Sequence, residues 1–430
     1  MVPAEQLNDL LAGVRDWCEK HLSVDSMAEA EEFAVAVGRQ VSRVVAEQGM
    51  QQIAGGATYD GCSVACSCGR RASFKDYRPK WIQTLAGPVR ITRAYYYCRH
   101  CKSGQTPWDA RQGLTGLQWT PGVKALVGQF VGRLTYAETR ELLELTTGLK
   151  IVESCAETIS AELGPNLRAQ DEQTRAAVFD GDVLPLLPEA VQRLYVAVDG
   201  THVHIDGDWH EMKAGVIYSG EPDAEGIDQA ADSYYVAAQE TAEQFGERMY
   251  AAAVLRGVEQ AHEQVVIGDG AEWIWNLAAH HFPRATQIVD YWHACEHIWT
   301  LRRQLYSDRS AAGDRWAREH CRKLRETGPN SLLRSLRRMK APTPEAAELI
   351  RIETGYFTRH RKRMQYPQFR ARGMMIGSGP VEAACKAVVG HRLKRAGMRW
   401  TQSGADAVLA IRCALLNGEY QRLNDASKAA

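Results

Sequence analysis

Residues 194–205, LYVAVDGTHVHI, and residues 263–270, EQVVIGDG, decide the fold. Each opens as an apolar, β-branched run, the pattern of a strand buried on both faces. Each run then meets an acid followed by glycine, Asp199-Gly200 and Asp269-Gly270. An acid closing a buried strand is costly unless it is solvated, paired or metal-bound. Asp-Gly is also a common turn, so one alone says little, whereas two point to a pair of neighbouring carboxylates. Around them EMKAGVIYSG and SYYVAAQ read as strands, 240–262 as a helix, AEWIWNLAAHHF as a helix and ATQIVDYWH as a fifth strand. A β-β-β-α-β-α-β pattern of this kind makes the class α/β.

A third acid, Glu382, lies two residues beyond Gly379-Pro380, at the start of a helix. It can simply suit the helix dipole, but Lys386, Arg392, Lys394, Arg395 and Arg399 surround it. A lone acid among bases, after a glycine turn, suits a site that holds both metal and phosphate. Glu272 and Glu353 are competing third acids; the IGSGP turn and the flanking bases favour Glu382. Grouped Asp, Asp and Glu carboxylates offer hard oxygens to two Mg²⁺ or Mn²⁺ ions, the arrangement that serves in-line phosphoryl displacement.

The net charge of zero hides a segregation. Residues 301–400 hold 24 Lys and Arg against 8 Asp and Glu, and the rest of the chain holds 28 against 44. Such a block is either a solvated helical face or a phosphate-binding surface. Arg337, Arg338, Lys394, Arg395 and Arg399 are its candidate DNA contacts, with Trp400 as an aromatic that can stack on an unpaired base.

Length allows two to four domains at roughly 100–200 residues each. Residues 1–52 read as helices, with the run MAEAEEFAVAVGRQVSRVVAEQG ending at Gly49. Residues 53–112 carry glycines and the β-rich KWIQTLAGPVRITRAYYYC, and hold five of the eleven cysteines, Cys62 to Cys101. Cys66-x-Cys68-Gly and Cys98-x2-Cys101, at the two ends of a hairpin, form a zinc-ribbon pattern that binds structural Zn²⁺. The first spacing departs from the usual x2; Cys62 can replace Cys66, and His100 adjoins Cys101. The remaining cysteines read as packing residues. Residues 113–185 return to helices, YAETRELLELTTG then VESCAETISAELG, a possible helix-turn-helix or an ordinary hairpin. The catalytic core is expected at 190–299, a basic helical insertion at 300–372, and the final catalytic and C-terminal helices at 373–420, with NDASKAA frayed. The N-terminus lacks the pattern of a signal peptide. No run reaches the ~18 apolar residues of a membrane span.

The segments VAVDGTHVH, VIGDGAEWIWNLA, IVDYWHACEHIW, IGSGPVEAACK and RAGMRW resemble the DDE transposases of bacterial insertion sequences, the ISKra-type group related to the Mutator-like superfamily. The resemblance runs over roughly residues 195–412. It implies an RNase H-like catalytic domain interrupted by a helical insertion, with Asp199, Asp269 and Glu382 as the acids. It also implies that Asp290 and His293 of Asp290-Tyr291-Trp292-His293 shape the active site. His293 and His297 alone also mimic a zinc pair. The implied partners are double-stranded DNA and further copies of the chain, a dimer or larger oligomer in a synaptic complex. The implied place is a bacterial cytoplasm, at the nucleoid. A DNA-binding regulator without catalysis, or a nuclease or resolvase on the same fold, are the other classes.

Overall fold

Among the described residues the strands form two separate sheets in a computed structural model that describes residues 4–57, 59–114, 118–182 and 191–429. The chain divides into two units, residues 1–123 with 147–149, and residues 124–146 with 150–430.

The first unit opens with helices Ala4–His21 and Met27–Ala57. The second helix runs through Gly49, where the sequence predicts its end. A glycine inside a helix costs about 1 kcal/mol. Ala46 and Met50 of this helix pack on a core of Ile82, Val89, Ile91, Trp108 and Leu114, and that burial offsets the cost. Strands β1 (Ser63–Ala65), β2 (Arg71–Thr84), β3 (Gly87–Cys98) and β4 (Ser103–Gln105) follow, paired antiparallel in that order. Asp109, buried beside them, is held by Lys80 and Arg93.

The second unit is a mixed α/β arrangement. Its sheet contains β5 (Arg193–Ile205), β6 (Asp208–Pro222), β7 (Asp228–Ala238), β8 (Glu263–Gly268) and β9 (Thr286–Val289), in the order β7-β6-β5-β8-β9. The first three form an antiparallel meander; β8 and β9 run parallel to β5. Parallel neighbours need crossovers, supplied by helices Ala242–Leu255 and Glu272–His281. Leu194 to Val198 are all buried, as their apolar run requires. Val198 pairs with Gly215, and Met249 of the first crossover helix packs there. Asp199, one residue on, faces the opposite side, against the Cys385 thiol.

Helix Tyr291–Leu305 contains residue 300, so no break falls at the expected start of the insertion. Helices Ala311–Thr327, Pro329–Arg338, Pro344–Arg359 and Tyr366–Ala371 follow. A partly buried charge network pins the returning chain to the sheet. Arg193 pairs with Asp228 and Glu263, Arg372 also takes Glu263, and the Met375 N–H donates to Tyr195 Oη at 3.1 Å.

Two helical expectations change. The second member of the supposed helix-turn-helix continues through Pro165 as one helix, Glu153–Phe179, and buries Ile159, Leu163 and Leu167. Its partner at this point is helix Gln402–Leu416, whose Ala407 backbone lies where a side chain on Gly164 would go. Tertiary packing thus outweighs the proline, and the apolar face is buried against that helix. The C-terminal tail is helical over Tyr420–Ala429, with Leu423 and Ala426 buried, and is not frayed. The expected boundaries at 185 and 190 lie outside the described residues. No described helix is long and apolar enough to cross a membrane.

Gly164→Ala should therefore lower stability by about 1–3 kcal/mol through overpacking. Thermal unfolding checks this: a melting temperature equal to that of the unsubstituted chain would show that the crossing yields without cost.

Candidate functional site

Register brings two of the three expected acids together. Ala197 pairs with Ile267 as the last pair of the parallel β5/β8 ladder, so Asp199 and Asp269, each two residues further on, stand level, Asp269 just past the end of β8. Asp199 Oδ1 accepts the Gly200 N–H at 2.7 Å, and Asp269 Oδ1 accepts the Ala271 N–H at 2.8 Å. Burial raises the Asp199 carboxyl above its usual range, and the negative charge of Asp269 pushes the same way. Among the described residues neither acid has a basic partner within ion-pair distance. Two adjacent hard-oxygen donors without a counter-charge fit a divalent cation.

Glu382 is not gathered with them. It lies in the short helix Gly379–Ala384, with its side chain 65% exposed and paired to Lys386 Nζ at 2.6 Å. Among the described residues no carboxylate triad comes within common ligand range. Its segment nevertheless reaches Asp199. Cys385, three residues on, lies 3.6 Å from Asp199 Oδ2, and its thiol is pushed well up by burial and then by the Asp199 charge. Cys385–Gly390 is a π-helical turn, a feature frequent at functional sites. Arg412 Nε takes the Ala387 carbonyl inside that turn at 2.6 Å.

Asp290 does something the sequence did not disclose. It follows β9 directly and caps helix Tyr291–Leu305, instead of closing a strand that runs on to His293. It is 3% exposed. One carboxylate oxygen accepts the His293 N–H at 2.6 Å, and the other accepts the Ser378 N–H. Both oxygens are therefore spent on backbone, and Asp290 holds the Gly377-Ser378-Gly379 turn that launches the Glu382 helix. His293 is half-exposed, with Nδ1 3.6 Å from Glu296 Oε2.

The basic candidates separate. Arg337, Arg338, Lys394 and Arg399 are exposed; Lys394 also contacts Thr201 Oγ1. Arg395 is committed to Glu138 through two hydrogen bonds of 2.6 and 2.8 Å, which hold that carboxyl down at about 2. Trp400 is buried, gives its indole N–H to the Leu393 carbonyl at 3.1 Å, and lies against Arg392. It leaves no open face for a base, so the stacking role expected of it does not hold. His297, Glu353 and Tyr356 were missed as a group. Glu353 Oε2 lies 2.7 Å from His297 Nδ1, and the His297 ring stacks on Tyr356. These residues come together only through folding; the local signals were His-x3-His and an acid, Glu353, that competed for the third catalytic place.

The cysteine pattern assembles in the first unit. The sulfurs of Cys66, Cys68, Cys98 and Cys101 lie within 4.8 Å of one another. Cys66 and Cys101 are 3.5 Å apart, and Cys68 and Cys98 3.7 Å. Sulfurs about 2.3 Å from a tetrahedral zinc stand about 3.8 Å apart, so the set can hold an ion such as zinc. The Cys68 backbone N–H pulls the Cys66 thiol down to about 6, toward the thiolate that a metal needs. Cys62 and His100 are not members.

Two outcomes follow. Zinc should copurify at about one equivalent per chain, by the closed four-ligand logic, and Cys98→Ser should release it; metal analysis with native-state alkylation of the thiols checks both. Asp199 has a folded-state carboxyl raised above its unfolded value, so its charge destabilises the fold at pH above both values and that penalty fades as pH falls. Asn carries no such charge, so Asp199→Asn should raise the melting temperature in EDTA at pH 7 and lose the gain in acid.

No curated protein matches the chain. A family model matches residues 68–429, from the cysteine region through the C-terminal helix. The chain belongs to the uncharacterised protein family UPF0236.

Proposed function

We propose that this chain is a metal-dependent DNA transposase of the ISKra-type group, with an RNase H-like catalytic domain. It cleaves at the ends of a mobile element and joins the freed 3′-hydroxyl to target DNA. One observation carries the reading: Asp199 and Asp269 stand level at the ends of paired parallel runs, without a basic partner among the described residues. The strand order β7-β6-β5-β8-β9, with its helical segment before Glu382, supports it. Clustered bases in 301–400 supply the charge that a DNA backbone demands.

Asp199, Asp269 and Glu382 would hold Mg²⁺ or Mn²⁺, which stabilises the attacking and leaving oxygens of an in-line phosphoryl displacement. Glu382 joins by giving up Lys386, which is then free to meet a phosphate. Asp290 keeps the Glu382 helix at the sheet end while this happens. Water oxygen bonds to phosphorus as the P–O3′ bond at the element end breaks. The released 3′-hydroxyl then bonds to a target phosphorus as that P–O3′ bond breaks. Each step exchanges one P–O bond for another, so no covalent protein–DNA intermediate is needed. Exposed Arg337, Arg338, Lys394 and Arg399 follow the backbone. The cysteine unit, with zinc, holds element ends. Two ends require a dimer or larger assembly, and the setting is the nucleoid of a bacterial cytoplasm.

A second reading, a DNA-binding regulator without catalysis, is favoured by the Glu382–Lys386 pair. Purified protein, Mg²⁺ and labelled DNA taken from either flank of the gene separate them. Joined product supports the transposase, cut product alone a nuclease, and a shifted band without cutting a regulator. Glu382→Gln should eliminate cleavage and joining together while band shifts persist; retained strand transfer would remove Glu382 from the site.

A further inference from the structure

The insertion contributes more than charge. Its helix Pro344–Arg359 lies 75 or more residues beyond Asp269 in sequence, yet Tyr356 Oη donates to the Asp269 main-chain carbonyl at 3.1 Å. That carbonyl belongs to the Asp269–Gly270 peptide, the plane that fixes how Asp269 leaves β8. Gly270 sits at φ +112°, and a Cβ there would come 2.9 Å from both the Tyr356 ring and its hydroxyl. The ring therefore lies directly against this peptide, and a side chain at 270 is excluded both by conformation and by contact.

The tyrosine is itself held. Its ring stacks on His297 with centroids 3.7 Å apart and planes at 19°. His297 Nδ1 meets Glu353 Oε2 at 2.7 Å, and Glu353, one turn before Tyr356 on the same helix, is 5% exposed. Phe357 and His360 flank the ring at 5.3 and 4.9 Å. The Asp269 carbonyl oxygen can only accept, so the phenol is the donor of this bond. A group clamped this firmly to one peptide plane, beside a ligand acid, acts as the outer layer of a metal site does.

We propose that Tyr356, braced by His297 and Glu353, is a positioning residue that sets the direction of the Asp269 carboxylate, making the insertion helix a wall of the metal site. The inference rests on the reading of Asp269 as a metal ligand.

The test measures Mn²⁺ binding to the full chain, without DNA, by calorimetry, beside thermal melting in EDTA. Asp269→Asn should abolish the carboxylate-site binding. Tyr356→Phe keeps the ring stack and removes only the hydroxyl; its Mn²⁺ affinity should fall about 10-fold, the lower end for loss of an outer-layer partner, with the melting temperature nearly unchanged. Saturating Mn²⁺ should restore DNA cleavage to Tyr356→Phe and not to Asp269→Asn. His297→Ala, which unbraces the ring, should weaken Mn²⁺ binding at least as much. If Asp269→Asn loses Mn²⁺ while Tyr356→Phe and His297→Ala bind it like the unsubstituted chain, the positioning role is overturned. If Asp269→Asn binds Mn²⁺ normally, the metal reading of Asp269 fails, and the role of Tyr356 falls with it.

Discussion

Asp290 is the constraint on which the site depends. A carboxylate 3% exposed would cost several kcal/mol without partners. Here its two oxygens take the N–H groups of His293 and Ser378, charge-assisted bonds of the stronger kind. One residue thereby joins three parts of the chain: the end of β9, the start of the helix leading into the insertion, and the turn that delivers Glu382. The Tyr291 N–H repeats the tie by donating to the Ile376 carbonyl at 2.9 Å. These bonds fix the turn at Ser378, as the Arg193 network and the Met375–Tyr195 bond fix the chain just before it.

Arginines perform a related service elsewhere in the second unit. Arg392 is fully buried, gives Nε to the Val131 carbonyl at 2.8 Å, and lies against the rings of Tyr136 and Trp400. Burial pulls its guanidinium down to about 10. Arg412 bonds the Gly132 carbonyl and the Ala387 carbonyl. Carbonyls at the end of a helix and inside a π-turn lack partners of their own, and cations there also oppose the helix dipole. The basic block is therefore not one population. Part of it is mortar for the core, part is paired, and part, such as Arg337 and Arg338, lies open to solvent.

Much of the candidate site was legible. Asp199 and Asp269 showed because each interrupts a run whose apolar character leaves no other reason for an acid. The cysteines showed because thiol pairs at fixed short spacings have few other uses, and the hairpin between them was visible as alternation around Ala86-Gly87-Pro88. Asp290 was marked by resemblance, but its function was not, because its partners are backbone groups 3 and 88 residues away. Tyr356 gave no signal, since an aromatic on a polar helix looks like surface, and Glu353 stood only as a competing third acid, with nothing local to join it to His297.

The sequence by itself determined the α/β class, most of the strands, the two strand-end acids and the cysteine pattern, while the strand order that makes the acids neighbours came from the fold. These follow from local rules: period-two or continuous apolar patterns, Asp-Gly after a buried run, and cysteine spacing. Only the tertiary structure decided that the helix through Pro165 continues, that Trp400 is core, that Arg395 belongs to Glu138, and that Glu382 rests on Lys386. The reason is physical. Whether a side chain is buried, paired or free depends on what crosses it from distant positions, and those contacts outweigh the roughly 1–3 kcal/mol preferences that a local pattern encodes.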